Sequence, residues 1–338
     1  MKLTYQLYQL DLKYPFKIAN YSRTSTPLVL LQLQLDGFIG YGEASMVPYM
    51  GESPETAANF LKKIDLRVLK FPFDYAEIIS YLDTLEPTQP AIKAAIDIAL
   101  HDLEGKLTAK PCYEMFGANP QNMPLTSVTM GMDTPKVILQ KVKEAKDCRV
   151  LKIKLGGAND KKLIEIIRTV SDLPLYVDAN QGWTDFNKSL DLIFWLKEQG
   201  VLVIEQPMDK NNPEANAWIT EHSPILILAD EAVQRLGDVE KAKGIYHGIN
   251  IKLMKSAGMH EAHQMILKAR KLDLKVMIGC MSETSCATLA AAALAPLCDW
   301  ADLDGPFLTK NNPYQTPEFV NGKWILENIP GLGLRINR

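Results

Sequence analysis

Alternating apolar and polar positions open the chain. In MKLTYQLYQL, Leu3, Tyr5 and Leu7 recur every second residue, the period of a β-strand. A second run, LVLLQLQL from Leu28 to Leu35, is followed by Asp36-Gly37 and FIGYGEAS, a spacing that predicts a hairpin. After Ser53-Pro54 the period lengthens. From about Ala91 to Leu107, Ile92, Ile96, Ala99, Leu100 and Leu103 fall on one helical stripe. Strands followed by helices, without alternation, predict an α+β domain. The texture changes between Asn119 and Pro124, which sets the end of that domain near residue 122.

From there, short apolar runs alternate with helix-like segments. Eight strand candidates are centred near Val128, Ile153, Val177, Val203, Ile227, Ile251, Met277 and Ala301, 24 to 26 residues apart. That repeat fits one βα unit, and eight in series predict a (β/α) barrel. An open doubly wound sheet is the competitor, but it usually carries a GxGxxG fingerprint, which is missing from the sequence. The stretch from Pro306 to Arg338, rich in Pro, Gly and Asn, reads as an irregular tail returning to the first domain. The expected division is 1–121, 122–305 and 306–338.

Composition narrows the partners. Lys plus Arg (37) against Asp plus Glu (40) gives a net charge of −3, unlike a nucleic-acid binder. The most apolar stretch, Leu289 to Cys298, is ten residues long and broken by Pro296, short of the roughly 20 that a membrane helix needs. No membrane partner is expected. The N-terminus reads as a strand and not a secretory signal, and five scattered cysteines without a CxxC pair fit reduced thiols. A cytoplasmic protein is the expectation, and the sequence leaves a homo-oligomer open.

Catalytic groups of a barrel belong at the C-terminal ends of its strands. The runs LYVDAN, LVIEQP and LILADE end in Asp178, Glu205 and Asp230, three carboxylates aimed at one mouth. Any one alone could be a helix cap. Three converging carboxylates repel unless a cation joins them, and an all-oxygen set without His or Cys favours Mg²⁺ over Zn²⁺. In RVLKIKLGG, Lys152 and Lys154 lie two apart and share the inward face, with Leu151, Ile153 and Leu155 facing the helices. Burial and a neighbouring cation disfavour the charged form, so Lys154 is a candidate base. In GINIKLMKSAG, Lys252 ends a strand across the mouth, whereas Lys255 lies beyond the strand end and is expected to be solvated. Two lysines on opposite sides of a metal-bound carboxylate suit removal and return of an α-proton through a metal-stabilised enediolate.

With KIK, DANQGW, IEQP, ADE and NIKLMKSAG in order, nearly the whole chain resembles the enolase superfamily, in its muconate-lactonizing-enzyme-like subgroup. The resemblance implies an N-terminal α+β capping domain, a modified TIM barrel, (β/α)₇β, and a C-terminal return segment. It implies one Mg²⁺ on Asp178, Glu205 and Asp230, acid/base roles for Lys154 and Lys252, and Lys152 near the metal-bound carboxylate. ADLDGP at the eighth strand puts Asp302 and Asp304 on one inward face. This pair is similar to the DxD motif of dipeptide epimerases, in which two carboxylates hold the free ammonium of a dipeptide. PFKIANYSRTS and YGEASMVPYMGES resemble the loops that close over the ligand. Arg23 in the first could pair with an anionic side chain, which favours Ala-Glu as substrate. Thr129, Cys280, Met281 and Ser282 match positions that line the dipeptide site. The implied reaction is 1,1-proton transfer on L-Ala-D/L-Glu from murein peptides.

Two alternatives stay open: another reaction of the subgroup, β-elimination or cycloisomerisation, against which Asp302-x-Asp304 speaks, and a non-catalytic metal- or peptide-binding barrel. HEAH, with His260 and His263, reads as an exposed helix face because the apolar stripe runs through Ala262, Met265, Ile266 and Ala269. LGG at Leu155 to Gly157 reads as a turn, since the spacing of a phosphate loop is missing.

Overall fold

A computed structural model describes residues 1–18 and 21–337. The chain opens with an antiparallel sheet of β1 (Lys2–Ile18), β2 (Tyr21–Leu35) and β3 (Phe38–Ser45), in that spatial order. Three helices follow, α1 (Pro54–Leu61), α2 (Tyr75–Leu85) and α3 (Pro90–Leu107), then the single turn α4 (Cys112–Met115). Helix α3 lies across β3 and β2. Its backbone comes so near that a Cβ on Gly42 would stand 1.9 Å from the Ala95 carbonyl oxygen, so only glycine fits there.

The opening alternation is a strand, yet it does not bury its apolar face. Tyr5 and Leu7 pair with Leu31 and Val29. They are 41% and 52% exposed while those partners are 0% exposed, because β1 is the sheet edge. Register fixes the face, and only coverage by a helix buries it.

All eight expected strands form. β4 (Val128–Met130), β5 (Leu151–Lys154), β6 (Leu175–Asp178), β7 (Val201–Glu205), β8 (Leu226–Ala229), β9 (Gly248–Lys252), β10 (Lys275–Gly279) and β11 (Trp300–Asp302) are parallel neighbours in chain order. The ring closes where Ser127 N donates to Ala301 O (3.0 Å) and Thr126 bridges Ala301. The intervening helices are α5 (Pro135–Glu144), α6 (Asp160–Arg168), α7 (Phe186–Glu198), α8 (Pro213–His222), α9 (Met259–Lys271) and α10 (Ser285–Leu294). Between β8 and β9 two 3₁₀ turns, Leu236–Asp238 and Glu240–Ala242, stand where a helix would be.

Period two sorts the barrel interior into layers. Tyr176, Val203, Leu228 and Met277 form an apolar layer low in the barrel. Two residues further along β6, β7 and β8 come Asp178, Glu205 and Asp230, so the same inward face turns from apolar to charged at the C-terminal mouth.

The cap is seated over that mouth by carboxylates at the N-termini of barrel helices. Asp97 on α3 accepts from Met259 N and His260 N (3.2 Å) at the start of α9. Glu43 on β3 accepts from Thr284 N (2.8 Å), the Thr284 hydroxyl and Ala287 N (3.3 Å) at the start of α10. Unpaired N–H groups and the helix dipole make these ends suitable for an acid. The tail of α11 (Gly305–Leu308), β12 (Phe319–Val320) and β13 (Lys323–Trp324) returns to the cap, where Cys112 N donates to Gly331 O (2.8 Å).

The expectation for His260 and His263 is corrected here. The stripe Ala262, Met265, Ile266 and Ala269 is buried as read, but both histidines are half-buried against the cap. Tyr75 stacks on His260 at 5.7 Å, and Phe116 meets His263 edge-on at 5.1 Å. A helix's own period cannot reveal a second domain on its shoulder. Among the described residues, no helix is long and apolar enough to cross a membrane.

Candidate functional site

The barrel mouth and the cap loops enclose a cavity of about 580 Å³. Arg23, Thr129, Lys152, Lys154, Asp230, Lys252, Cys280, Met281, Ser282, Asp302 and Asp304 all line it. Asp178 and Glu205 lie in the same network, at 0% and 1% exposure. Ala19 and Asn20 of the expected closing loop fall outside the described residues. On either side of them the strands run on as a hairpin, with Phe16 paired to Arg23.

Asp178, Glu205 and Asp230 bring one oxygen each to within 4.8 Å of the others. Ammonium groups surround them. Lys154 Nζ is 2.6 Å from Asp178 Oδ2, and Lys152 Nζ is 2.6 Å from Glu205 Oε2, 2.6 Å from Asp302 Oδ2 and 3.3 Å from Asp178 Oδ2. Lys252 Nζ is 2.7 Å from Asp230 Oδ2 and 3.9 Å from Glu205 Oε1. β5 and β9 are four positions apart in a ring of eight, so Lys154 and Lys252 face each other across the mouth.

Charge and burial set the ionisation of this cluster. Burial pushes Asp178 upward, but Lys154 and Lys152 outweigh it and leave the carboxyl below its ordinary range. Burial acts likewise on Asp230, where Lys252 and Lys255 prevail and hold it well below that range. Glu205 goes the other way: burial and then repulsion by Asp178 push it up to about 8 despite Lys152. For Lys252, burial favours the neutral amine, but Asp230 and Glu205 overcome it and keep the ammonium well above its usual value.

The eighth-strand pair is asymmetric. Asp302 is bound on both oxygens, Oδ2 by Lys152 and Oδ1 by the Ser127 hydroxyl (2.7 Å). Asp304 Oδ2 accepts Thr129 N (2.6 Å), and among the described residues Oδ1 has only the weak Cys280 thiol at 3.7 Å. The oxygen of the pair with acceptor capacity to spare therefore belongs to Asp304. Arg23 lies with its guanidinium carbon 5.0 Å from the Phe16 ring centroid and donates from Nη2 to Ser282 Oγ (2.7 Å). Ser45 Oγ donates to Ser282 O (2.7 Å), so cap residues pin the 280s loop from two directions.

Sequence reasoning missed several members. Lys255, expected in solvent, is 2% exposed and donates to Asp230 Oδ1 (2.6 Å), Asp230 O (2.6 Å), Val233 O (2.9 Å) and Asn250 O (3.0 Å). The turn after β9 folds back, with Lys255 N on Lys252 O (2.9 Å), and carries the side chain to the loop after β8, at the wall of the cavity. The KxxK spacing on a polar turn held no sign of this. Asn250 Nδ2 donates to Glu205 Oε1 (2.9 Å), and Asn180 Nδ2 to Glu231 Oε1 (3.2 Å). The first was legible in outline, since Asn250 shares the inward face of Lys252.

The donor set fits a hard divalent cation. All three converging groups are carboxylates, as such an ion prefers. Beside them the buried acceptors Glu231 Oε2, Asn180 Oδ1 and Asn250 Oδ1 have no hydrogen-bond donor among the described residues. Unmatched acceptors of this kind suit the water shell of a small dication.

Comparison with known proteins agrees with this geometry. Residues 3–117 match the mandelate racemase/muconate lactonizing enzyme N-terminal domain, and residues 137–338 the enolase C-terminal domain-like family. The chain is 51% identical over 335 residues to the L-Ala-D/L-Glu epimerase of Bacteroides thetaiotaomicron, covering 99% of this chain and 88% of that one. The dipeptide epimerase of Enterococcus faecalis, solved with Mg and L-Leu-L-Tyr, superposes with a TM-score of 0.91 at 30% identity over 98% of each chain. The substrate-liganded L-Ala-D/L-Glu epimerase of Bacillus subtilis gives 0.92 at 25% identity over 99% of this chain and 98% of that one.

Proposed function

The chain belongs to the mandelate racemase/muconate lactonizing enzyme family of enolase-like barrels, and from that premise we propose that it is a Mg²⁺-dependent dipeptide epimerase interconverting L-Ala-D-Glu and L-Ala-L-Glu. One observation carries the reading: Lys154 and Lys252 stand on opposite strands of the barrel, each ion-paired to a different member of one carboxylate triad. A binding protein has no need of two bases facing one point, whereas inversion at a carbon does.

Asp178, Glu205 and Asp230 hold the cation. Mg²⁺ there supplies Lewis-acid stabilisation of the negative charge that builds on the substrate carboxylate as the α-proton leaves. Lys154 and Lys252 take and return that proton on opposite faces of the α-carbon, each serving one direction. Lys152, tied to Glu205 and Asp302, stays an ammonium and stabilises charge without exchanging the proton. Asp304, backed by Asp302, receives the N-terminal ammonium. Arg23 reads the side-chain carboxylate of the Glu residue in a guanidinium-carboxylate pair. Thr129, Cys280, Met281 and Ser282 shape the walls. The five cysteines are all free, which fits a cytoplasmic setting, and murein peptides are the source of this substrate class.

The test is ¹H NMR of L-Ala-L-Glu with the protein and Mg²⁺ in D₂O, with an EDTA control. Loss of the Glu α-proton signal and growth of the D-Glu diastereomer, both suppressed by EDTA, are expected. A persistent α-proton across a small panel of dipeptides would remove the proposal.

A further inference from the structure

Each carboxylate of the triad has one oxygen facing Lys152, Lys154 or Lys252 and another held by a second donor, and the second donor of Asp230, Lys255, also lines the cavity. Asp178 Oδ2 faces Lys154 while Oδ1 accepts Asn180 N (2.9 Å). Glu205 Oε2 faces Lys152 while Oε1 accepts Asn250 Nδ2 (2.9 Å). Asp230 Oδ2 faces Lys252 (2.7 Å) while Oδ1 is held by Lys255 (2.6 Å). Two of the holding donors are neutral, a backbone N–H and a side-chain amide. The third is a buried ammonium brought back by a turn.

We propose that Lys255 is a positioning residue that locks the Asp230 carboxylate for cation binding, an inference that rests on the metal-site reading above. The geometry explains why an ammonium is needed where an amide suffices elsewhere. Asp230 Oδ1, Asp230 O, Val233 O and Asn250 O all converge on one point within 3.0 Å of Nζ. Three N–H donors on one atom, one of them shared between two oxygens, can serve these four acceptors, and no neutral side chain offers three. By gripping both the side-chain and the main-chain oxygen of Asp230, Lys255 fixes the rotation of the carboxylate. By gripping Val233 O and Asn250 O it also ties the loop after β8 to β9, so the positions of Asp230 and Lys252 are set together. Gln206 completes the seat from the other side, its Oε1 accepting Asp230 N (3.1 Å) and Ala232 N (3.1 Å). Lys255 thereby acts through Asp230 and not on the substrate. Partners of metal ligands commonly control affinity by about 10- to 100-fold.

The test uses Mn²⁺ alone as the probe, followed by EPR and calorimetry on the full chain, with Lys255→Gln and Lys255→Met. Wild type is expected to bind one Mn²⁺ and Asp178→Asn to lose it; if wild type binds none, the metal-site reading and this inference fall together. With that established, both Lys255 variants should bind Mn²⁺ at least about tenfold more weakly, Met more so than Gln, with an altered EPR line shape. At saturating Mg²⁺ the dipeptide KM should stay near the wild-type value. A folded variant with wild-type Mn²⁺ affinity and only a lower Tm would make Lys255 a purely structural residue and overturn the proposal. So would failure of Lys255→Gln to fold, since glutamine retains a donor for Asp230.

Discussion

Buried acids occur in two regions of this molecule and do different work in each. In the barrel mouth, Asp178, Glu205, Asp230 and Asp302 are read by lysine ammonium groups. In the cap and its seam with the barrel, Glu43, Glu52 and Asp97 are read by backbone N–H groups at helix N-termini: α10, α3 and α9. Burial is nearly the same, from 0% to 6% exposed in both sets. The partner decides the outcome. Lysines keep Asp178 and Asp230 below the ordinary carboxyl range against burial, whereas N–H groups do not prevent burial from pushing Glu43 and Glu52 up to about 7. Glu205 is the mouth's exception, raised because Asp178 crowds it, which is the condition that a cation relieves. A buried carboxylate alone therefore says little about chemistry, and one facing a buried ammonium says much.

That contrast is broken most directly at Lys252. Lys252→Ala is expected to lower kcat for Ala-Glu epimerisation by roughly 100- to 10,000-fold, the usual worth of a positioned proton-transfer group. Mn²⁺ binding should survive, because Lys255 still holds Asp230. Retained turnover would show that the lysines of the mouth are as structural as the N–H groups of the cap. The eighth-strand pair gives the next effect. Asp304→Asn should raise KM by roughly 10- to 100-fold, as loss of a charge-assisted hydrogen bond does, with kcat little changed. Asp302→Asn should depress kcat as well, since Asp302 is bound to Lys152. Identical profiles for the two variants would deny the asymmetry of the pair.

How much of this the sequence reveals follows from the same contrast. The mouth is written in period two: KIK, LYVD, LVIE and GINIK declare which side chains share the inward face, so the meeting of these carboxylates and lysines at one mouth is legible in the sequence. The eight strands were legible for the same reason, because each is a short apolar run between polar turns. The burial of Lys255 is not legible because it depends on a turn folding back to the loop after β8, which no strand or helix period encodes. His260 and His263 were misread for a related reason, the cap covering one shoulder of α9. Glu43 and Asp97 carry no local signal either, since the helices they cap lie 241 and 162 residues away in the chain. Patterns local in sequence showed the chemistry, and contacts remote in sequence seat the cap above it.

Arg23 tests where the two regions meet. It stands on the cap's hairpin, donates to Ser282 of the barrel and lines the cavity. Arg23→Ala should raise KM for Ala-Glu by about tenfold, and change an uncharged dipeptide such as Ala-Val much less, if the guanidinium reads a carboxylate. An equal loss for both substrates would make Arg23 a hinge of the 280s loop and not a reader of the side chain.

The smallest effect sharpens the cap side of the comparison and is a matter of sign. Glu52 Oε1 and Oε2 accept Ala91 N at 3.0 and 3.1 Å at the start of α3, and burial raises its carboxyl from 4.5 to about 7. The folded-state value lies above the unfolded one, so the contribution of this group is fully present below about pH 4.5 and is lost as pH rises through about 7. Glu52→Gln keeps an acceptor for Ala91 N and removes the titration. Its Tm should lie close to that of wild type at about pH 5 and above it by a few degrees at about pH 8. A Tm difference that stays the same at both pH values would mean that Glu52 is ionised in the fold throughout, held by Lys93 much as the mouth carboxylates are held by their lysines. Backbone N–H groups would then no longer mark the difference between the acids that seat the cap and those that line the cavity.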